Sequence, residues 1–208
     1  MKKVMLLVVT VGLLVFSVVT SAFASTAYLD YTIGGNEKAG STDNIDRDNF
    51  LLGVEVPLDQ YKVVFEYGKG TIKYDTGDTD TTAFMLKGGY RLVQNDAFQL
   101  YGDLSYSHLS WDASGDPKYS PIMIGVDGKY AINERMFVSG NLDFAVSGKY
   151  DNGSDKTDTD YTVAKVKYTY LLSNQIGVAA GYNWSEMKPD GSDKTTDTGA
   201  TLGLTYNF

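Results

Sequence analysis

The chain contains one histidine, His108, and no cysteine, so it offers few starting points for catalysis. A serine hydroxyl activated by a histidine base is the pair that acyl hydrolases use, and Ser110 lies two residues after His108. Residues two apart on a strand share a face, which here is the apolar face that carries Tyr106. Since no third residue can be identified that would orient the histidine, we expect no catalytic residues and no enzyme activity.

Carboxylates are abundant, but their spacing does not form a recognisable site. A protease that uses aspartates needs them gathered at one place, whereas the acids here are spread over several polar connections. Asp151–Asp160 superficially resembles a calcium loop, yet its glycine is misplaced and no glutamate closes it. We therefore expect no metal site and no cofactor, and keep an acyl hydrolase or a protease only as remote alternatives.

The structural elements that must position these residues follow an N-terminal targeting segment. Met1–Lys3 is a short basic start, Val4–Val19 is almost wholly apolar, and Ala22–Ala24 has the A-x-A form of a cleavage site. This pattern predicts a cleaved signal peptide over residues 1–24 and a mature domain over residues 25–208, with a retained membrane anchor as the alternative. No later apolar run approaches the roughly 20 residues that a spanning helix needs.

The chain has 208 residues and is acidic, with 18 basic and 26 acidic residues and a formal charge of −8. That length is enough for one domain. The acidic balance argues against nucleic acid as a partner, because phosphate binding needs a basic surface. The lack of cysteine removes zinc fingers, thiol catalysis and disulfide chemistry.

Apolar and polar residues alternate with a period of two through the mature chain, which predicts strands with one apolar and one polar face. We count ten such segments and expect almost no helix. Their apolar faces extend over Leu29–Ile33, Phe50–Val56, Tyr61–Tyr67, Phe84–Leu92, Phe98–Tyr106, Ile122–Ile132, Val138–Val146, Ala164–Leu172, Ile176–Trp184 and Leu202–Phe208.

The connections between these segments alternate between short and long. The short ones are Pro57–Gln60, Val93–Asp96, Asn133–Arg135 and Ser173–Gln175. The long ones are Gly35–Asp48, Asp75–Thr82, Asp112–Lys118, Asp151–Asp160 and Lys188–Asp197. A transmembrane barrel has short turns on one side and longer loops on the other, and its strand ends are rich in Tyr and Trp. The sequence therefore predicts an all-β, up-and-down antiparallel transmembrane β-barrel of ten strands, with eight strands or a soluble β-sandwich as alternatives.

The face opposite the apolar one carries charges of both signs, and it would line the lumen. The candidate lumen charges are Asp30, Glu55, Lys62, Glu66, Lys87, Arg91, Asp103, Asp127, Lys129, Asp143, Lys149, Lys165 and Lys167. They nearly balance, so the acidic excess falls on the five long connections. A barrel of about 8 strands is just filled by its side chains. We expect paired charges to plug the lumen, with a narrow ion-sized path as the alternative.

The chain resembles the small outer-membrane β-barrel proteins of Gram-negative bacteria, the class that includes the OmpX, OmpA-barrel and Opa-like proteins. The resemblance rests on the Ala22–Ala24 cleavage site and on the terminal alternation, whose apolar residues are Leu202, Leu204, Tyr206 and Phe208. It implies an outer-membrane location, contact with lipid and lipopolysaccharide, and an insertion signal at Phe208 that the barrel-assembly machinery reads. A barrel closes its own edges, so we expect a monomer.

These observations favour a structural or surface-interaction protein with acidic outside loops. The alternative is a narrow, porin-like channel, whose acidic mouths would prefer cations. On a barrel, His108 becomes a residue at the membrane interface.

Overall fold

The computed structural model describes residues 25–39, 45–74 and 77–208, so the predicted signal peptide lies outside the described residues. In those ranges the chain forms twelve β-strands. They are β1 Thr26–Ala39, β2 Ile45–Leu58, β3 Tyr61–Tyr74, β4 Gly77–Gln94, β5 Phe98–Trp111, β6 Lys118–Tyr119, β7 Ile122–Asn133, β8 Met136–Ser147, β9 Lys149–Asp151, β10 Lys156–Leu171, β11 Ile176–Pro189 and β12 Thr195–Asn207. Among the same residues, no helix is long and apolar enough to cross a membrane.

The strands form one antiparallel sheet that closes on itself. Neighbours in the chain pair from β1 to β5, and the ring continues through β7, β8, β10, β11 and β12. The first and last strands complete it, with Tyr31 opposite Leu202 and Thr26 opposite Asn207. This is the up-and-down, all-β architecture that the alternation predicts.

The predicted count of ten strands is wrong, because two further short strands, β6 and β9, form next to the connections Asp112–Lys118 and Asp151–Asp160. At the outer end of the barrel, β6 pairs with β5 and with β9, and β9 pairs with β10. At this end the two short strands take the positions that β7 and β8 occupy further down the ring, between β5 and β10. Pro121 separates β6 from β7, and Gly148 separates β8 from β9. A proline has no N–H for the ladder, and a Cβ at Gly148 would come within 2.8 Å of the Tyr119 ring. Both breaks interrupt the period of two that marks a strand.

Four of the five long connections are at least half strand, and Asp112–Lys118 is the exception. β3 runs to Tyr74 and β4 starts at Gly77, so only residues 75–76 separate them. Strands of 14 to 18 residues exceed the roughly 9–11 that cross a membrane, and they extend beyond the outer aromatic residues Tyr67, Phe84 and Trp184. We call this extension the outer collar. It comprises residues 34–39, 45–49, 68–74, 77–83, 109–111, 118–119, 149–151, 156–161, 185–189 and 195–197.

The outward face of the barrel is a continuous apolar belt. Leu52, Leu104 and Leu202 are each half exposed or more, as are many apolar residues from the same face of other strands. Aromatic contacts flank the belt, with Tyr61 against Tyr90 near one end and Phe84 against Tyr106 near the other. An outward apolar band between aromatic girdles is the surface that faces lipid in transmembrane barrels.

Candidate functional site: the lumen

The inward face of the barrel carries the buried polar residues, because the period of two sends every second side chain to the lumen. Charged residues from distant strands meet there as ion pairs. Lys62 Nζ lies 2.9 Å from Asp127, and Lys87 Nζ lies 3.0 Å from Asp143. Lys167 also contacts Asp30. These pairs join strands that are not neighbours, so they cross the lumen instead of running along its wall.

The pair of Glu66 and Lys165 crosses the full width of the barrel. Glu66 stands on β3 and Lys165 on β10, and the same number of strands separates them in either direction around the ring. Lys165 Nζ lies 3.0 Å from Glu66 Oε2, and the Tyr28 hydroxyl donates to Glu66 Oε1 at 2.7 Å. The three side chains form a cross-brace that divides the lumen into two halves.

Lys62 is held in one half of the lumen by two carboxylates and a ring. Glu55 lies 3.5 Å from its Nζ, in addition to Asp127. The ammonium also lies 4.6 Å from the centre of the Tyr101 ring. Only 3% of the Lys62 side chain is exposed. The two carboxylates and the ring therefore stabilise its positive charge where water does not reach it.

Three of the candidate lumen charges lie away from this network. Lys129 has the Phe137 ring 4.7 Å from its Nζ, towards the periplasmic end of the lumen. Arg91 lies at that end beside the exposed Asp59, 3.8 Å away. The assignment of Lys149 to the lumen is wrong, because it stands on β9 in the outer collar and pairs with Asp158 in solvent. The break at Gly148 separates it from the alternation of β8.

Apolar residues that the sequence analysis missed are buried at the outer end of the lumen. Ile72 and Tyr119 are fully buried, and Tyr119 packs edge-on against Tyr161 at 5.5 Å. The Tyr119 hydroxyl donates to the carbonyl of Thr159 at 3.0 Å. Burial raises the pKa of Tyr119 above its ordinary value, so the hydroxyl remains a donor. Ile72 lies on the same alternating face as Lys62 and Glu66, which is the signal that could have identified it.

Two cavities remain between these groups, and both are lined by the cross-brace residues Tyr28, Glu66 and Lys165. The larger, of about 350 Å³, is lined chiefly by β10, β11, β12, β1 and β2, and also by residues of the opposite wall such as Tyr101, Lys129 and Phe137. Its lining includes Thr26 and Asn207 at the periplasmic end and Arg47 and Asp197 at the outer end. The smaller, of about 170 Å³, lies beside Lys87 and Met123. The lumen is therefore crossed by ion pairs but is not completely filled.

His108 lies on the outer surface and not in the lumen. Its ring packs 5.3 Å from that of Phe84, an aromatic residue of the outer girdle, and its Nδ1 is hydrogen-bonded to Ser120 Oγ at 2.8 Å. Ser110 Oγ is directed to the carbonyl of Thr82 at 3.5 Å. The structure thus brings neither residue to an acidic group of the lumen.

The acidic segment Asp151–Asp160 folds into a turn and two strands of the outer collar. The Gly153 N–H donates to Asp151 at 2.9 Å, and Lys156 lies 3.4 Å from the same carboxylate. The Gly153 hydrogen bond, together with Lys156, holds the pKa of Asp151 below its ordinary value. In the described ranges, no group of three acidic, histidine or cysteine side chains is arranged to hold a metal ion.

The terminal strand places its apolar residues on the lipid face. The exposed members are Leu202, Leu204, Tyr206 and Phe208. The Phe208 ring packs edge-on against Tyr206 at 5.0 Å, and its N–H donates to the carbonyl of Ser25 at 2.9 Å. The residue after β12 is therefore fixed to the residue before β1.

Comparisons with known structures agree with this architecture. The chain is similar to the outer-membrane protease OmpT from Escherichia coli, with a TM-score of 0.63, 10% identity, and coverage of 91% of this chain and 98% of that one. An outer-membrane channel from Pseudomonas putida F1 gives a TM-score of 0.54 at 9% identity, covering 90% and 96%. The β domain of the Bordetella autotransporter BrkA gives 0.51 at 8%, covering 90% and 99%. A protease, a channel and an autotransporter domain share this fold, so the fold alone does not assign a role.

The sequence itself identifies the family. No curated protein matches the chain. A family model described as "Outer membrane protein beta-barrel domain" matches residues 92–208, which is more than half of the chain. With the closed ring and the outward apolar belt, this makes the chain a member of the outer-membrane β-barrel domain family and a protein of the outer membrane.

Proposed function

We propose that this barrel is closed to solutes and that its role is structural or one of contact at the cell surface. The cross-brace of Glu66 and Lys165 supports this proposal, because it spans the lumen between opposite strands. Ile72 and Tyr119 are fully buried near the outer end of the same path and narrow it further. A lumen that is crossed by ion pairs and narrowed in this way leaves no wide route for a dissolved molecule.

The outer collar is then the part of the protein that meets other molecules. Its strands stay paired beyond the apolar belt, and cross-strand ion pairs such as Lys69–Asp80 and Lys73–Asp48 lie on its surface. Exposed pairs of this kind contribute little stability, so their chief effect is a surface of mixed charge on a rigid frame. Rigid frames that present polar surface commonly carry recognition.

A narrow, cation-preferring channel is the second candidate, and the larger cavity favours it. That cavity is lined by residues from both ends of the barrel, so a chain of water molecules could follow it past the cross-brace. Acidic side chains around the outer mouth would favour cations over anions. Catalysis remains outside both proposals, because His108 lies on the outer surface, away from the lumen acids.

The decisive experiment records current through single barrels in a planar bilayer. Protein purified from the outer membrane should be silent, whereas the double variant Glu66→Gln/Lys165→Met should show steady steps because its cross-brace is gone. Lys73→Met, in the collar, is the matched control and should remain silent. Cation-selective steps from the unaltered protein would overturn the closed barrel in favour of the channel.

A further inference from the structure

Two aspartates face the lumen on either side of a glycine. Asp103 on β5 and Asp143 on β8 both pair with Gly125 on β7, so the three residues form one row across the sheet. Because glycine has no side chain, the Asp143 carboxyl group can lie over Gly125, and a Cβ there would come within 2.2 Å of Asp143 Oδ1. Both carboxyl groups lie within 4 Å of the same Lys87 ammonium, so they are close neighbours.

The Asp103 side chain is fully buried, yet it receives no hydrogen bond. Neither of its oxygens has a hydrogen-bond partner among the described residues, and the same is true of the neighbouring Ser105 hydroxyl. Asp143 is different, because both of its oxygens accept from Lys87 Nζ at 3.0 Å and one also accepts from the Asn141 amide. A buried carboxylate without donors is costly, so the geometry at Asp103 does not fit an ionised group.

The charges around the two aspartates are unbalanced. Lys87 is the cation beside them, 3.0 Å from Asp143 and 3.6 Å from Asp103. Two ionised carboxylates with one ammonium would leave a net negative charge among buried side chains. The other charged groups that face this part of the lumen are already in ion pairs, namely Glu55, Asp127 and Lys62 in one cluster and Glu66 with Lys165 in another.

We propose that Asp103 and Asp143 bind one proton between them at neutral pH, so that Asp103 is a carboxylic acid that donates to the Asp143 carboxylate. The proton comes from solvent when the barrel folds, and it makes the group of Asp103, Asp143 and Lys87 neutral. Two adjacent carboxyl groups in a buried site commonly share a proton in this way. A metal cation fits less well, because it would lie against the Lys87 ammonium.

Infrared spectroscopy of the folded protein in lipid tests this proposal directly. The carbonyl stretch of a protonated carboxylic acid should be present at neutral pH in the unaltered protein and absent in Asp103→Asn. The matched control, Glu186→Gln, removes a carboxylate from the collar and should leave the band unchanged. A folded barrel with no such band, or a band that persists in Asp103→Asn, would overturn the proposal.

A second measurement distinguishes the proton from a bound cation. If the native barrel binds a proton that the unfolded chain releases, the unaltered protein should lose stability as the pH rises, and Asp103→Asn should lose less. The amide of that variant is neutral and donates a hydrogen bond, so it should fold. Stability that rises with sodium or potassium concentration at constant ionic strength, without the infrared band, would show a cation in place of the proton.

Discussion

The ring of Tyr28 lies directly over Gly53, its cross-strand partner, and occupies the space that a side chain would fill. A Cβ at Gly53 would come within 2.1 Å of the Tyr28 ring. The glycine therefore allows the tyrosine to reach Glu66 and to complete the cross-brace.

Gly53→Ala should consequently displace Tyr28 and break its hydrogen bond to Glu66. We expect a loss of about 1–3 kcal/mol in the free energy of unfolding, as is usual when a packed site is overfilled. Denaturant titration in lipid vesicles measures it. Gly88→Ala is the matched control, because a Cβ at Gly88 would meet nothing within 4 Å. Equal losses in the two variants would contradict this role of Gly53.

A charge on the lipid face should be far more harmful than one on the same face of the collar. Leu104 is 58% exposed in the apolar belt, and Ser110 lies six residues further along the same face of β5. Leu104→Arg should lower the free energy of unfolding by about 2–4 kcal/mol, because the guanidinium would lie at mid-membrane. Ser110→Arg should lower it by less than about 1 kcal/mol. The yield of folded barrel and the free energy of unfolding report the difference, and similar costs would refute the assigned lipid face.

Asp30 and Lys167 should be energetically coupled. Their ion pair is part-buried, and the Lys167 ammonium also lies 4.5 Å from the centre of the Tyr28 ring. Asp30→Asn should destabilise the barrel by about 3 kcal/mol, because it leaves a buried cation without its partner. The double variant Asp30→Asn/Lys167→Met should lose less than the sum of the single losses in a double-mutant cycle. Simple additivity would mean that the two residues contribute independently.

Tyr119 should stabilise the outer closure chiefly through its ring. The side chain is fully buried, and its hydroxyl makes one hydrogen bond, to Thr159. Tyr119→Ala should cost about 3–5 kcal/mol and expose the connection between β5 and β6 to protease. Tyr119→Phe keeps the ring and should cost about 1 kcal/mol. If the two variants were equally destabilised, the hydrogen bond and not packing would hold the closure.

The fold could be predicted because lipid imposes a simple rule on sequence. Every second residue of a membrane strand must be apolar, so segments such as Leu202–Phe208 indicate both strand and lipid face. That rule stops at the membrane surface. Residues such as Asp80 and Thr82 in the collar are polar on the outward face, so they were assigned to a connection although they pair as strand.

The lumen was only partly predictable for a different reason. Alternation indicates which charges face inward, but it cannot show which of them meet, because partners such as Lys165 and Glu66 lie 99 positions apart. Inward apolar residues were missed because a search for charges passes over them. Tyr101 and Ile72 occupy the same alternating positions as the lysines, and both are buried.

The pairing of the first strand with the last has a consequence for how the protein forms and persists. Thr26 meets Asn207 across 181 positions, so the final seam has a very high contact order and cannot close until every other strand is in place. Non-local contacts of this kind make folding slow. After closure no strand is at an edge, and any strand that leaves must break a ladder on both of its sides. The barrel should therefore resist denaturant through the height of its unfolding barrier, which makes its lifetime the more informative measure of its durability.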